Sequence, residues 1–274
     1  MSEFDQLVEL FRTRRVVVLT GAGCSTDSGI PDYRGPDGTQ RKRPPIQYQE
    51  FVRDPFRRAR YWARSVVGHA RFASSRPNAA HHALAALEAR RAIKGVITQN
   101  VDRLHHAAGS RRVVELHGAL ARVRCLDCGV TEARETVQDR LLALNPWLGE
   151  AVATQAPDGD AELDGALVEG FRMAPCLACG GAMLKPDVVF FGENVPKDVV
   201  ASAWAMFDES DALVVLGSSL AVFSGYRFVV RAAERGYAIA IVNRGVTRGD
   251  PHATLKLDAG VSEVLPRLVA ALGE

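Results

Sequence analysis

Val16-Val17-Val18-Leu19-Thr20-Gly21-Ala22-Gly23 is the stretch on which the fold turns. A short apolar run that ends in glycine reads as a strand buried on both faces, the usual state of a strand inside a parallel sheet. Further strand-length apolar runs lie at Val96-Ile97-Thr98, Val113 to Leu116, Val188 to Phe191, Ala212 to Leu216 and Ala238 to Val242. Helical patterns fall between them at His81 to Arg91, Asp198 to Phe207, Tyr226 to Arg235 and Ser262 to Leu272. Strands alternating with helices predict an α/β fold with a doubly wound parallel, Rossmann-like sheet. Ligands of such sheets bind beyond the carboxyl ends of the strands.

Residues 119–186 break the alternation, and they hold two Cys-x-x-Cys pairs, Cys125/Cys128 and Cys176/Cys179. They read as a small zinc-binding module inserted into a larger Rossmann-like sheet domain made of residues 1–118 and 187–274. Tetrahedral Zn²⁺ takes four thiolates at about 2.3 Å, and each pair supplies two from one turn. Gly129 and Gly180-Gly181 follow the pairs where a tight turn needs positive φ. Four protein ligands leave no open position, so the expected ion is structural, one per chain. A redox dithiol is the competing reading. The fifth cysteine, Cys24, makes an odd count and argues for metal ligation over disulfides.

Composition sets outer bounds. Hydrophobic content of 47% and charged content of 24% are ordinary for a globular chain. No apolar run reaches the ~20 residues a bilayer requires, and a net charge of +2 gives no reason to expect nucleic acid. The acidic start Met1-Ser2-Glu3-Phe4-Asp5 lacks a signal core, so a cytoplasmic protein is expected. The oligomeric state stays open, a monomer being compatible. Charge is uneven: residues 41–64 carry eight Lys/Arg against two acids, and 147–170 carry six acids and no Lys/Arg.

Gly21-x-Gly23 hints at a dinucleotide, yet Thr26 stands at the third glycine position of Gly-x-Gly-x-x-Gly. No acid ends an obvious second strand ~20 residues on, so the ordinary dehydrogenase fingerprint fails. A longer pattern replaces it. Gly21-Ala22-Gly23-Cys24-Ser25-Thr26-Asp27-Ser28-Gly29-Ile30-Pro31-Asp32-Tyr33-Arg34 is followed by Thr98-Gln99-Asn100-Val101-Asp102-Arg103-Leu104-His105 and Glu115-Leu116-His117-Gly118. Then come Lys185-Pro186-Asp187-Val188-Val189-Phe190-Phe191-Gly192-Glu193 and Gly217-Ser218-Ser219-Leu220. This ordered set, with the cysteine pairs among its members, resembles the sirtuin family over roughly residues 15–270.

The resemblance implies an NAD-dependent protein-lysine deacylase. The acyl-lysine carbonyl oxygen attacks the nicotinamide ribose, nicotinamide leaves, and the ribose hydroxyls are deprotonated to carry the acyl group away. A histidine, unperturbed near ~6.5, suits that proton transfer, and His117 is the implied general base. Asn100 would position ribose or water, Asp102 the nicotinamide amide, and Gln99 the ribose. Ala22, Ile30 and Asp32 would line the nicotinamide site, with Gly21, Gly23, Ser25, Tyr33 and Arg34 completing the loop. Gly217, Ser218, Ser219 and Asn243 would face the phosphates and adenosine ribose, and Val261 the adenine.

On the substrate side, Phe191-Gly192-Glu193 and Gly225-Tyr226 fall in the segments that hold an extended peptide as an added strand in sirtuins. Asp54-Pro55 reads as a helix N-cap and first turn. Arg57, Arg60, Tyr61 and Arg64 then share a face, and Tyr61-Trp62-Ala63-Arg64 resembles the Tyr-x-x-Arg that grips carboxylated acyl groups. With Tyr33, Arg43-Pro44-Pro45, Ala156-Pro157-Asp158-Gly159-Asp160 and Ser224-Gly225-Tyr226-Arg227-Phe228, it looks like class II sirtuins. Alternatives from the same site are mono-ADP-ribosyl transfer or lipoamidase chemistry, or a non-catalytic NAD-binding module. His81-His82 and His105-His106 are expected to be ordinary helix-surface and boundary residues, because helix neighbours diverge by ~100°. Cys24 reads as a small loop residue near NAD, with a redox-sensitive thiol as the alternative.

Overall fold

The first strand forms where its apolar run predicts, at β1 (Val16–Thr20), with all five residues buried. A computed structural model describes residues 1–32, 45–150 and 170–273, residue 150 through its backbone alone. In chain order the elements are α1 (Glu3–Thr13), β1, α2 (Tyr48–Arg53), α3 (Pro55–Ala73), α4 (Ala79–Ala89), β2 (Ile93–Thr98), α5 (Leu104–Ala107) and β3 (Val113–Glu115). They continue as β4 (Gly118–Cys125), β5 (Thr131–Ala133), α6 (Arg134–Leu144), β6 (Leu184–Val188), α7 (Lys197–Asp208), β7 (Ala212–Leu216), α8 (Phe223–Glu234), β8 (Ala238–Val242), β9 (Leu255–Leu257) and α9 (Val261–Ala271).

The chain divides into two compact units, one of residues 1–43, 76–116 and 195–274, the other of 44–75 and 117–194. The first holds a six-stranded parallel sheet in the order β3-β2-β1-β7-β8-β9. Alternate residues of each strand face opposite layers. Val16 and Val18 join Leu7, Phe11, Leu84, Leu87 and Leu265 from α1, α4 and α9. Val17 and Leu19 join Phe207 from α7 and Phe228 and Val229 from α8. This is a doubly wound sheet, and its order reverses between β1 and β7.

The second unit is built on an antiparallel sheet, β5-β4-β6, with α2, α3 and α6. The Asp54 side chain caps α3 as expected, accepting from the Phe56 and Arg57 backbone N–H groups, with Pro55 in the first turn. Trp62 is fully buried and donates its Nε1–H to Leu184 O. Two sequence expectations shift here. Val188 to Phe191 is not a strand of the parallel sheet: the strand runs from Leu184 to Val188 and pairs antiparallel with β4. The cysteine-bearing unit also takes in residues 44–75 and reaches to 194, beyond the expected 119–186. Both follow from long-range packing of α3 and β6, which short-range periodicity does not report.

Candidate functional site

In the parallel-sheet unit, the loops after β1 and β7 meet at the strand-order reversal. Gly21 N–H donates to Leu216 O at 3.1 Å, and Gly23 N–H to Gly217 O at 2.8 Å. A Cβ on Gly21 would lie 2.7 Å from Ser218 Cβ, and Gly217 holds φ +59 with Cys24 N in the same space. The glycines expected to admit a pyrophosphate therefore first admit the neighbouring loop, at a spacing that any side chain would break.

Polar side chains converge on that junction. Asn100 is 9% exposed, and its Nδ2 donates to Gly21 O and to Ser25 Oγ, both at 3.0 Å. Ser25 donates onward to Asp102 Oδ2 at 2.7 Å, and Asp102 Oδ1 accepts from the Leu104 N–H at 2.9 Å. Burial holds the Asp102 carboxyl above the usual carboxylate range, offset in part by those two donors. Gln99 Nε2 donates to Ser218 Oγ at 2.9 Å, and Gly225 leaves room for its amide, since a Cβ there would meet Gln99 Oε1 at 2.5 Å.

Ile30 and Val261 are buried, Val261 at the start of α9. Asp32 is half-buried, and the Ser219 carbonyl accepts from Arg248 N–H. Asn243 N–H donates to Leu257 O, and its amide reaches the Arg244 carbonyl at 2.8 Å. The Tyr226 hydroxyl lies 3.0 Å from His252 Nε2, with the Arg248 guanidinium 4.1 Å over its ring. Tyr33 and Arg34 lie outside the described residues, as do Arg43-Pro44 and Ala156 to Asp160.

The histidine expectation is overturned at two positions. His81 and His105 are 0% and 1% exposed, and their rings lie 4.9 Å apart. Burial lowers them to about 4 and about 3, which keeps both neutral. Their partners on the sequence, His82 and His106, do lie outside this core, so the divergence argument holds while the assignment of faces does not. Thr20 and Thr98, absent from the sequence-level site, complete the network: Thr20 Oγ1 donates to Thr98 Oγ1 at 2.8 Å, and His105 Nε2 lies 3.0 Å from Thr20 Oγ1. Threonine ending two adjacent strands was the available signal.

In the second unit His117 is half-buried, and its carbonyl accepts from Val189 N–H at 2.9 Å. Gly118 follows at φ +76, and a Cβ there would lie 2.0 Å from Asp187 O, so the backbone next to His117 is set by glycine. Arg122 Nε and Arg124 Nε bond the two oxygens of Asp187 at 3.0 and 3.1 Å and hold its carboxyl low despite partial burial.

Lys185 is buried, and burial pushes its ammonium down while Glu193 pushes it back. Glu193 Oε2 lies 2.9 Å from Lys185 Nζ and accepts from Phe190 N–H at 2.8 Å, closing the turn through Gly192. Phe191 is 38% exposed, and its carbonyl accepts from Tyr48 N–H. Tyr61 is 4% exposed, packed edge-on against Phe51, Trp62 and Phe190; Arg64 lies one turn on and is half-buried.

The four cysteines of the pairs come together with all sulfurs within 4.8 Å of one another. Cys125 and Cys179 Sγ are 3.7 Å apart, as are Cys128 and Cys176. Four ligands at about 2.3 Å from a tetrahedral ion lie about 3.8 Å from each other. The set suits a structural zinc ion with a closed shell.

A glycine-lined turn at the order reversal of a doubly wound parallel sheet, in a chain that also carries a four-thiolate site, defines the class of dinucleotide-type α/β proteins with an inserted zinc module. Residues 21–224 match the Sir2 family. The chain is 54% identical to NAD-dependent protein deacetylase 1 of Mycobacterium avium (strain 104), over 99% of this chain and 96% of that one. It is 53% identical to NAD-dependent protein deacetylase 2 of Bradyrhizobium diazoefficiens, over 90% of each. Among solved structures, a Sir2–p53 peptide–NAD⁺ complex superposes with a TM-score of 0.76 at 32% identity, covering 98% of both chains. The chain belongs to the Sir2 family, the sirtuins.

Proposed function

We propose that the protein removes acyl groups from protein lysine side chains while consuming NAD, with acetyl-lysine among its substrates. The observation that carries this is the buried chain Gly21 O–Asn100–Ser25–Asp102 at the reversal between β1 and β7. Its amide, hydroxyl and carboxyl groups suit ribose hydroxyls and a carboxamide. When bound, NAD supplies an electrophilic ribose carbon and a nicotinamide leaving group. Asn100 positions the ribose side, and Asp102 faces the amide. His117 takes up a proton as general base, its backbone fixed by β4 and β6. Gln99, Ser218, Ser219, Asn243 and Val261 serve the remainder of the dinucleotide.

Phe191, Gly192 and Glu193, with Gly225 and Tyr226, hold the peptide, Glu193 by bracing its turn through Lys185. Tyr61 and Arg64 set the acyl preference. Support for this is the contact of Tyr61 with Phe190, next to the peptide segment, and the arginine one turn further along α3. Incubation with NAD and acetyl-, succinyl-, glutaryl- and lipoyl-lysine peptides, with products identified by mass, tests the reading. Acyl transfer with nicotinamide release is expected; labelled protein without acyl transfer would make the chain an ADP-ribosyltransferase, and NAD left intact a binding module.

A further inference from the structure

The buried core of the parallel-sheet unit contains a constellation that deacylation leaves unused. Cys24, His81 and His105 are all buried, and one ligand atom from each lies within 4.8 Å of the other two. They come from the turn after β1, from α4 and from α5, so only the tertiary fold assembles them. In a metal site one imidazole nitrogen faces the ion while the other is held by a polar partner. Both histidines meet that condition.

Thr20 spends its hydroxyl proton on Thr98, so its oxygen receives the proton of His105 Nε2. His105 Nδ1 is then a bare lone pair, buried and with no hydrogen-bond partner among the described residues. His81 Nδ1 lies 3.2 Å from the Asn78 N–H and 3.0 Å from Asn78 Oδ1. Asn78 therefore serves either tautomer and lets His81 Nε2 present a lone pair. Among the described residues this Nε2 meets Ser25 Oγ at a long 3.4 Å.

We infer that Cys24, His81 and His105 form a second zinc site, distinct from the four-cysteine centre, whose filling slows NAD-dependent turnover. One thiolate and two imidazoles suit a thiophilic d¹⁰ cation. On binding, the Cys24 S–H bond breaks and an S–Zn bond forms, the proton passes to solvent, and the His81 proton moves from Nε2 to Nδ1, where Asn78 Oδ1 accepts it. No electrons are transferred. Ligand atoms around Zn²⁺ lie about 3.5–3.8 Å apart, so small side-chain rotations from the present spacing bring these three donors onto the ion, with water as the fourth.

Filling the site removes Ser25's contact with His81 and places a divalent charge beside the Ser25–Asp102 hydrogen bond. This second part rests on the deacylase reading, since Ser25 and Asp102 belong to its NAD site.

The test uses the full chain with its four-cysteine site loaded. Zinc is added in excess, unbound metal is removed by gel filtration, and zinc per chain is counted by elemental analysis. The expected result is two ions for the parent chain and one for Cys24→Ala and Cys24→Ser, each checked for an intact thermal melt. In parallel, the zinc concentration that halves turnover, normalised to each protein's own rate with the four-cysteine site loaded and no zinc added, is expected to rise at least tenfold in Cys24→Ala. Equal stoichiometry in parent and variants overturns the site, and two ions with superimposable inhibition curves overturns its effect on turnover. Absence of turnover on every acyl peptide would strike the deacylase reading, while the stoichiometry would still decide the metal site.

Discussion

The two units build their interiors from different materials. The parallel-sheet unit buries Val, Leu, Ile and Phe on both faces of β1 and β7, and its buried histidines are held neutral. The cysteine-bearing unit buries cations: Arg134 is 1% exposed, 5.2 Å from the Trp62 ring, and lowered by burial to about 10. Lys185 Nζ lies 4.4 Å from the Phe190 ring and pairs with Glu193. A large sheet can fill two layers with apolar side chains, whereas a small unit has too little apolar surface to do so. It places buried cations against aromatic rings and adds a metal shell, each of which depends on a few residues.

The comparison breaks most sharply on metal. Cys125→Ala, or chelation, is expected to forfeit zinc binding of about 10–16 kcal/mol and unfold the cysteine-bearing unit. The parallel-sheet unit should persist; hydrogen exchange on β1 and β7 against β4 and β6 reads this directly, and equal loss of protection in both would refute it. Next in size is His117→Ala. Turnover should fall by roughly 10²–10⁴-fold with the melt unchanged, and a normal rate would remove His117 as general base.

Acid acts on both units, since His69 of α3 is also lowered to about 4 and the thiolate shell releases its metal on protonation, and in the parallel-sheet unit it acts through two histidines. His81 and His105 sit below their unfolded value of about 6.5, so the unfolded chain binds more protons. The stability they allow is complete above about pH 6.5 and is lost as pH falls toward about 4 for His81 and about 3 for His105. The slope is up to ~1.4 kcal/mol per pH unit for each imidazole. Denaturation followed by tryptophan-independent probes such as exchange at β1 should show this, and His81→Gln should flatten it.

Gly118→Ala is expected to cost about 3 kcal/mol or more, from left-handed backbone and a clash with Asp187 O, lowering the urea midpoint. The smallest effect is Asp54→Ala, about 1 kcal/mol from the lost α3 cap, measured the same way.

Much of the fold was legible locally. β1, β7 and β8 begin and end as their apolar runs do, and α3 starts at the Asp54 cap. Expectation failed at Val188 to Phe191, where an apolar run looks the same in a parallel or an antiparallel sheet and only pairing with β4 decides. It failed again at His81 and His105, because an isolated histidine carries no sign of which helix face the core will claim.

The sequence by itself determined the family, through ordered motifs, and the four-cysteine donor set, through the Cys-x-x-Cys turns, because both are fixed by residue type and short spacing. Only the tertiary structure decided that Asn100 bridges Gly21 and Ser25, that Gly21 and Gly217 exist for each other, and that Cys24 meets two buried imidazoles. Those contacts join residues 57 to 196 positions apart, and a chain can bring such residues together only after its strands have chosen their neighbours.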